Sequence, residues 1–129
     1  MEIEILKPTC NLDTIRDGRG GIFTWVPREK IAEFNLLYFN PGKLRGNHFH
    51  PEFTEYFLVV EGQGVMVTKD SKTGQEVVIH MSKGMCTRAP KGVSHAFYAI
   101  TPCTAVAMLS KPWDDSNPPI VRDDVLVTK

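Results

Sequence analysis

Short apolar runs alternate with polar breaks along this chain, and no stretch keeps its apolar residues at helical spacing. The runs are rich in Val, Ile, Phe and Tyr and are broken by Gly, Pro, Asn or Asp, the punctuation of strands and turns. Strands are predicted near residues 3–6, 22–26, 33–39, 47–50, 55–60, 64–69, 75–81, 85–89, 95–100 and 104–110. Turns fall at DGRGG (17–21), NPGK (40–43), EGQG (61–64), KDSKTGQ (69–75) and APKG (89–92). Strands at such spacing, with no helices between them, predict an all-β sandwich or barrel. The segment KPWDDSNPP (111–119) reads as an excursion over the surface. The tail IVRDDVLVTK returns as an edge strand or exchanges with a partner subunit.

Alternate residues of a strand share a face, so His48 and His50 point the same way. On strand 55–60, Glu55 shares a face with Phe57 and Val59. A lone carboxylate on such an inward, apolar face is expensive, and a metal ion or a cationic partner would remove the cost. His95 leads another apolar strand, on a face with Phe97 and Ala99. His48, His50, Glu55 and His95 are therefore the candidate metal ligands: imidazoles plus one carboxylate suit a divalent transition metal, with Zn, Fe, Mn and Ni all open. An octahedral ion would keep positions free for water or substrate, whereas a tetrahedral zinc ion could be saturated by these four groups.

With 129 residues and 42% apolar composition, the chain suits a single domain, residues 1–129, with a core of its own. Fifteen basic residues balance fifteen acidic ones, which gives no reason to expect nucleic acid or an anionic membrane as partner. The apolar runs are too short to span a bilayer, and MEIEILKPTC has acidic residues where a signal peptide needs basic ones, so a cytoplasmic location is expected. Cys10, Cys86 and Cys103 are odd in number and far apart, which argues against a disulfide framework or a CxxC site.

Gly42, His48, His50, Glu55 and Gly62 match the first motif of the cupin superfamily at every fixed position, and Gly84, Pro90, Gly92 and His95 match the second, whose final Asn is Ala99 here. The chain thus closely resembles the cupins over residues 42–99. The resemblance implies a cupin jelly-roll β-barrel holding a metal on His48, His50, Glu55 and His95, and a homodimer joined through sheet edges. DGRGGIF (17–23) resembles the D-x-R-G stretch of sugar-nucleotide epimerases and ketoisomerases. RGNHFH resembles their R-G-x-H motif, and more closely the corresponding motif of cupin domains attached to capsular-polysaccharide sugar reductases. This implies a nucleotide-sugar substrate, with His48 as catalytic base and Arg45 and Arg19 holding the anionic part. Tyr38 and Phe97 are expected to line the substrate site. The chain departs from the epimerases in having His50 where they usually carry Gln, and in lacking their late-strand tyrosine, for which Tyr98 or Tyr38 would have to substitute.

His80 reads as an exposed strand histidine, Glu52 as a solvent-facing neighbour of the motif, and Cys86 as a small buried hydrophobe. Arg45, Lys43, Arg88 and Lys91 either ring the barrel mouth or are ordinary solvated charges. The expected function is a metal-binding isomerase or epimerase acting on an activated sugar or similar hydroxy-ketone in polysaccharide biosynthesis. The alternatives are an Fe(II)-type dioxygenase of a small molecule and a non-catalytic small-ligand-binding cupin.

Overall fold

The computed structural model describes residues 2–9, 18–70 and 72–126. Its strands are β1 (Glu4–Leu6), β2 (Glu33–Phe39), β3 (Leu44–Phe49), β4 (Glu55–Glu61), β5 (Gln63–Lys69), β6 (Glu76–Ser82), β7 (Cys86–Ala89), β8 (His95–Ala99), β9 (Cys103–Leu109) and β10 (Val121–Arg122). A single 3-10 turn, Trp113–Asp115, is the helical element among the described residues. The strands form two five-stranded antiparallel sheets, in the orders β1-β7-β4-β9-β2 and β10-β3-β8-β5-β6, which make an all-β jelly roll. No helix among the described residues is long and apolar enough to cross a membrane.

Strand periodicity determines what goes inside. In β9, Cys103, Ala105, Ala107 and Leu109 are buried between the sheets, and the intervening residues are only partly covered. Val59, Met81, Ala99 and Ala105 fill one end of the barrel. Across the middle, Phe39, Phe57 and Phe97 pack edge-on or tilted, with ring centroids 4.9–6.3 Å apart. Their other side faces a cavity, so the same three rings close the core and form the cavity floor. Gly62 makes the tight β4–β5 turn at φ 93°, where a Cβ would come 2.2 Å from the Pro102 carbonyl oxygen, so no larger residue fits.

The predicted strand at 22–26 does not form. Phe23 and Trp25 instead turn onto the outer face of the first sheet, beside Tyr56, Leu58, Cys86 and Met108. The Trp25 Nε1 donates to the Leu6 carbonyl at 3.0 Å, and apart from an isolated bridge at Thr24 the segment joins no sheet. Burial pushes the Cys86 thiol up to about 11, which leaves it inert at neutral pH, as expected for a buried small hydrophobe.

Ionic contacts hold this covering segment down. Arg88 donates from Nε (3.1 Å) and from a terminal nitrogen (2.5 Å) to Glu29, and from its other terminal nitrogen (2.8 Å) to Glu4. Tyr56 donates to Glu29, and Arg28 pairs with Glu4. Arg88 therefore lies on the outer sheet face and is not at the barrel mouth. The hydrogen bond from Arg88 holds the Glu29 carboxyl down at about 2, against its ordinary 4.5. A depressed carboxyl adds stability that is complete above the unfolded value and lost as pH falls through the folded one. Glu29→Gln is expected to cost roughly 1–3 kcal/mol at neutral pH. It should also flatten the fall in Tm between about pH 4.5 and pH 2, read by thermal melts across that range.

Candidate functional site

The site depends on a break in the alternation of β3. A regular strand would send Arg45 and His48 to opposite faces. Here the pairing with β8 runs Arg45–Phe97, Gly46–Ala96 and then His48–His95, leaving Asn47 as the extra residue of a bulge. The bulge shifts the register by one residue, so Arg45, His48 and His50 all face the cavity while Asn47 faces the other way. Gly46 (φ 112°) and Asn47 (φ 60°) both take the left-handed region, and a Cβ on Gly46 would lie 2.6 Å from the His95 carbonyl oxygen. The G-N of RGNHFH is thus a structural device that brings its flanking arginine and histidine to one surface.

His48, His50 and His95 converge there, each offering a nitrogen within 4.8 Å of the others. Glu55 joins them from β4, its Oε1 lying 3.1 Å from the His95 Nε2 and 3.7 Å from the His50 Nε2. The Nδ1 of His50 donates to the Pro119 carbonyl at 3.1 Å and that of His95 to the Val93 carbonyl at 3.0 Å; a carbonyl only accepts, so both Nδ1 atoms carry protons. In their neutral forms both rings then turn lone pairs inward. The His50 Nε2 is buried with no hydrogen-bond partner. Burial works against the charge of Glu55, but the neighbouring His50 and His95 rings, the second at hydrogen-bond distance, more than offset it and hold the carboxyl below the usual range. His95 shows the opposite balance: burial disfavours its protonation, and the hydrogen bond to Glu55 prevails and raises its pKa. Burial, with the neighbouring His95 and His50, lowers His48 to about 4, so it stands in the cavity as neutral imidazole.

This donor set fits a divalent transition metal. An orphaned, buried Nε2 and a lone pair pointing at a carboxylate both need a cation between them, and carbonyl bonds to the far ring nitrogens are the usual outer support of histidine ligands. The cavity above has a volume of about 460 Å³. Arg45 stands on its wall, Phe97 lines it, and Asn35, Leu37, Trp113 and Ile120 complete it.

The polysaccharide biosynthesis C-terminal domain family matches residues 15–117. The chain belongs to that family. No curated protein sequence matches it. Solved structures share its fold. A 3,4-ketoisomerase from Helicobacter canadensis superposes with a TM-score of 0.78 at 16% identity, covering 94% of this chain and 90% of its own. A 3'-monoepimerase from Streptomyces bikiniensis, solved in complex with dTDP-quinovose, gives 0.73 at 21%, over 85% and 64%. The capsular polysaccharide assembling protein CapF of Staphylococcus aureus gives 0.68 at 22%, covering 95% of this chain and 33% of that longer one. These likenesses establish the cupin-type jelly roll.

Within this family member, His48, His50, Glu55, His95, Arg45 and Phe97 are brought together. Tyr38 is not: it lies on the outer face of β2, 71% exposed, because the inward positions of that strand are Asn35, Leu37 and Phe39. Tyr98 alternates outward beside the inward Phe97, and Arg19 is exposed and does not line the cavity. Cys10 and Asp17 lie outside the described residues. Lys43, Lys91 and His80 are exposed, and Glu52 binds Lys111 (2.6 Å) and the Asn117 amide (2.7 Å). Ala99, in place of the second motif's Asn, is buried in the core cluster with Phe39, Phe97 and Ala105. Asn35 and Leu37 were accessible to the period-two argument through Phe39, whereas Trp113 and Ile120 come from a loop with no register to read. Gly46→Ala is expected to destabilise the fold by roughly 2–4 kcal/mol, because the added methyl meets backbone at a strained φ. A shift of the chemical denaturation midpoint with unchanged slope would check it.

Proposed function

We propose that this chain is a metal-binding enzyme that isomerises a carbonyl sugar carried on a nucleotide, within polysaccharide biosynthesis. The observation that carries the reading is the convergence of three imidazoles and a carboxylate, with an orphaned His50 Nε2, at the base of a cavity walled by Arg45. His50 and His95 are the buried part of the donor set, and Glu55 and His48, both partly exposed, complete it from the cavity side. A divalent ion bound there would supply Lewis-acid polarisation of a substrate carbonyl. Arg45 binds the anionic part of the substrate at the cavity wall, and Phe57, Phe97 and Leu109 exclude water from the reacting end. Where no ion is bound, His48, half-buried and neutral, would instead take a proton on a ring nitrogen from the carbon beside the carbonyl and return it to the former carbonyl carbon, while the hydroxyl proton passes to the former carbonyl oxygen. With Tyr38 and Tyr98 on outer faces, proton-moving groups gather on one side of the cavity. That arrangement supports transfer along one face of the sugar better than inversion by an acid and a base on opposite faces. The family match and the ketoisomerase neighbours support the substrate class.

Elemental analysis of the purified protein beside His50→Ala tests the metal, and stoichiometric metal in the first and its loss in the second are expected. Turnover is tested on a panel of nucleotide-linked 4-keto sugars, where His48→Asn should lower kcat by roughly 10²–10⁴-fold. Absence of both binding and conversion across the panel overturns the enzyme reading in favour of a binding module. Iron with substrate-dependent oxygen uptake overturns it in favour of an oxygenase.

We propose also that the chain works as a homodimer. Edge strand β2 turns Phe34, Leu36 and Tyr38 outward, 76%, 56% and 71% exposed, with no charge in the row. That is on the order of 400 Å² of apolar surface, the scale of an interaction face, and an unprotected edge beside it favours a second copy related by a two-fold axis. Light scattering should give twice the chain mass, and Leu36→Lys should give the monomer; a monomeric parent protein rejects the interface.

A further inference from the structure

The segment from Lys111 to Leu126 returns across the open end of the barrel and reaches the site repeatedly. Trp113 and Ile120 line the cavity, the Pro119 carbonyl takes the His50 Nδ1 proton, and Val121 and Arg122 pair with Phe49 and His48. Polar contacts hold this strap along its length. Glu52 binds its start through Lys111 and the Asn117 amide, and Asp123 is held by Ser94 (2.5 Å) and Lys69 (3.3 Å). Its last described residues are fastened to Asn47, with Val125 and Leu126 also packed against Val67 and Ala96. The Asn47 Oδ1 accepts from the Val125 and Leu126 amides at 3.0 and 2.9 Å, its Nδ2 donates to the Leu126 carbonyl at 2.7 Å, and its own carbonyl accepts from the Asp123 amide at 2.9 Å.

Asn47 is buried and left-handed at φ 60°, a conformation that glycine adopts at lower cost. Glycine would serve the bulge equally well but would make none of the three side-chain bonds. We infer that Asn47 is a positioning residue for His50, acting through the strap: it anchors the segment whose Pro119 carbonyl fixes the tautomer and ring orientation of His50. The chain of contacts is short. Asn47 lies in β3 and His50 directly follows its last residue, three positions on and facing the other side. The strap presents Pro119 to His50 and then runs through β10 to the Asn47 anchor at Asp123, Val125 and Leu126, so that anchor holds the following side of the segment that carries the carbonyl. A His50 ring without that partner can exchange protons between its two nitrogens, and the inward lone pair is no longer assured. This inference rests on the metal reading only for its effect on affinity; the tautomer is a property of the metal-free chain.

Asn47→Gly keeps the bulge geometry and deletes the three bonds, and Asn47→Asp restores the two amide acceptors. Nitrogen-15 NMR of the metal-free protein reads the His50 tautomer, hydrogen exchange reads the Val125 and Leu126 amides, and zinc titration reads affinity. The parent protein should hold His50 with the proton on Nδ1. Asn47→Gly should mix the tautomers, speed exchange across residues 119–126 and weaken zinc by roughly 10–100-fold, with Asn47→Asp recovering most of each. Deprotected amides with an unchanged Nδ1–H signal in Asn47→Gly overturn the inference. If Asn47→Gly does not fold, Asn47→Asp, which lacks only the bond to the Leu126 carbonyl, is judged by the same two readouts. A parent protein that takes up no zinc rejects the metal reading and leaves the tautomer result standing.

Discussion

A strand delivers only alternate residues to one face, and this site needs Arg45, His48 and His50 on the same face of β3. Odd and even positions cannot meet there without an inserted residue, so the Gly46–Asn47 bulge is the constraint on which the rest depends. It demands two consecutive left-handed residues, and it presses Gly46 against the His95 backbone so closely that a methyl group would not fit. In return it puts His48 directly opposite His95 and frees one side chain, that of Asn47, on the reverse face. The arginine, the histidines and the fastening of the C-terminal strap are three consequences of one extra residue.

Charge balance is the second requirement, and it follows from placing Glu55 inside. Phe57 and Val59 make that face of β4 a core face, so the carboxylate meets imidazoles in place of water. Two neutral rings with inward lone pairs cannot stabilise it. Something positive must lie among them, either a proton shared between Glu55 and His95 or a metal cation. The carbonyls of Pro119 and Val93 accept from the outer nitrogen of each ring, which turns the inner nitrogen of each toward Glu55 and its neighbours. The aromatic trio beneath excludes water, which is why the compensation must be local.

Most of the fold was legible because it is written in period two. The segment CTAVAML carries its burial pattern in its residue types, and Gly42, Gly62 and Gly84 mark turns between strands. The segment at 22–26 has the same composition and does not pair, because Phe23 and Trp25 find a better surface on top of a sheet than beside one. The convergence of His48, His50, Glu55 and His95 was legible for a different reason: two short motifs fix their spacing along the chain. Arg45 was named on the strength of its motif, yet simple alternation would have turned it away from His48. Tyr38 shows the converse failure, since an aromatic residue on a predicted strand carries no label for inside or outside until its neighbours are placed. Trp113, Pro119 and Ile120 reach the cavity through a loop, where only tertiary contacts assign a position.

The strap explains why the open end of the barrel is a site and not simply a gap in the packing. A jelly roll of this size can fill one end with Val59, Met81 and Ala105, but the histidine end is polar and cannot be packed shut. Leaving it wide to solvent would hydrate Glu55 and weaken every electrostatic contact there. Residues 111–126 cover part of it with Trp113 and Ile120 while spending a backbone carbonyl on His50. The cover is held by hydrogen bonds and ion pairs, by Trp113 against the Phe53 and His50 rings, and by Val125 and Leu126 on a small apolar cluster around Val67 and Ala96. Such attachments are individually weak and independent, so the strap can be ordered without being welded to the barrel. The cavity thus has an aromatic floor of Phe39, Phe57 and Phe97 and a roof held by dispersed contacts, and the pairing of β3 with β8 ties the two together by setting Arg45 opposite Phe97 and His48 opposite His95.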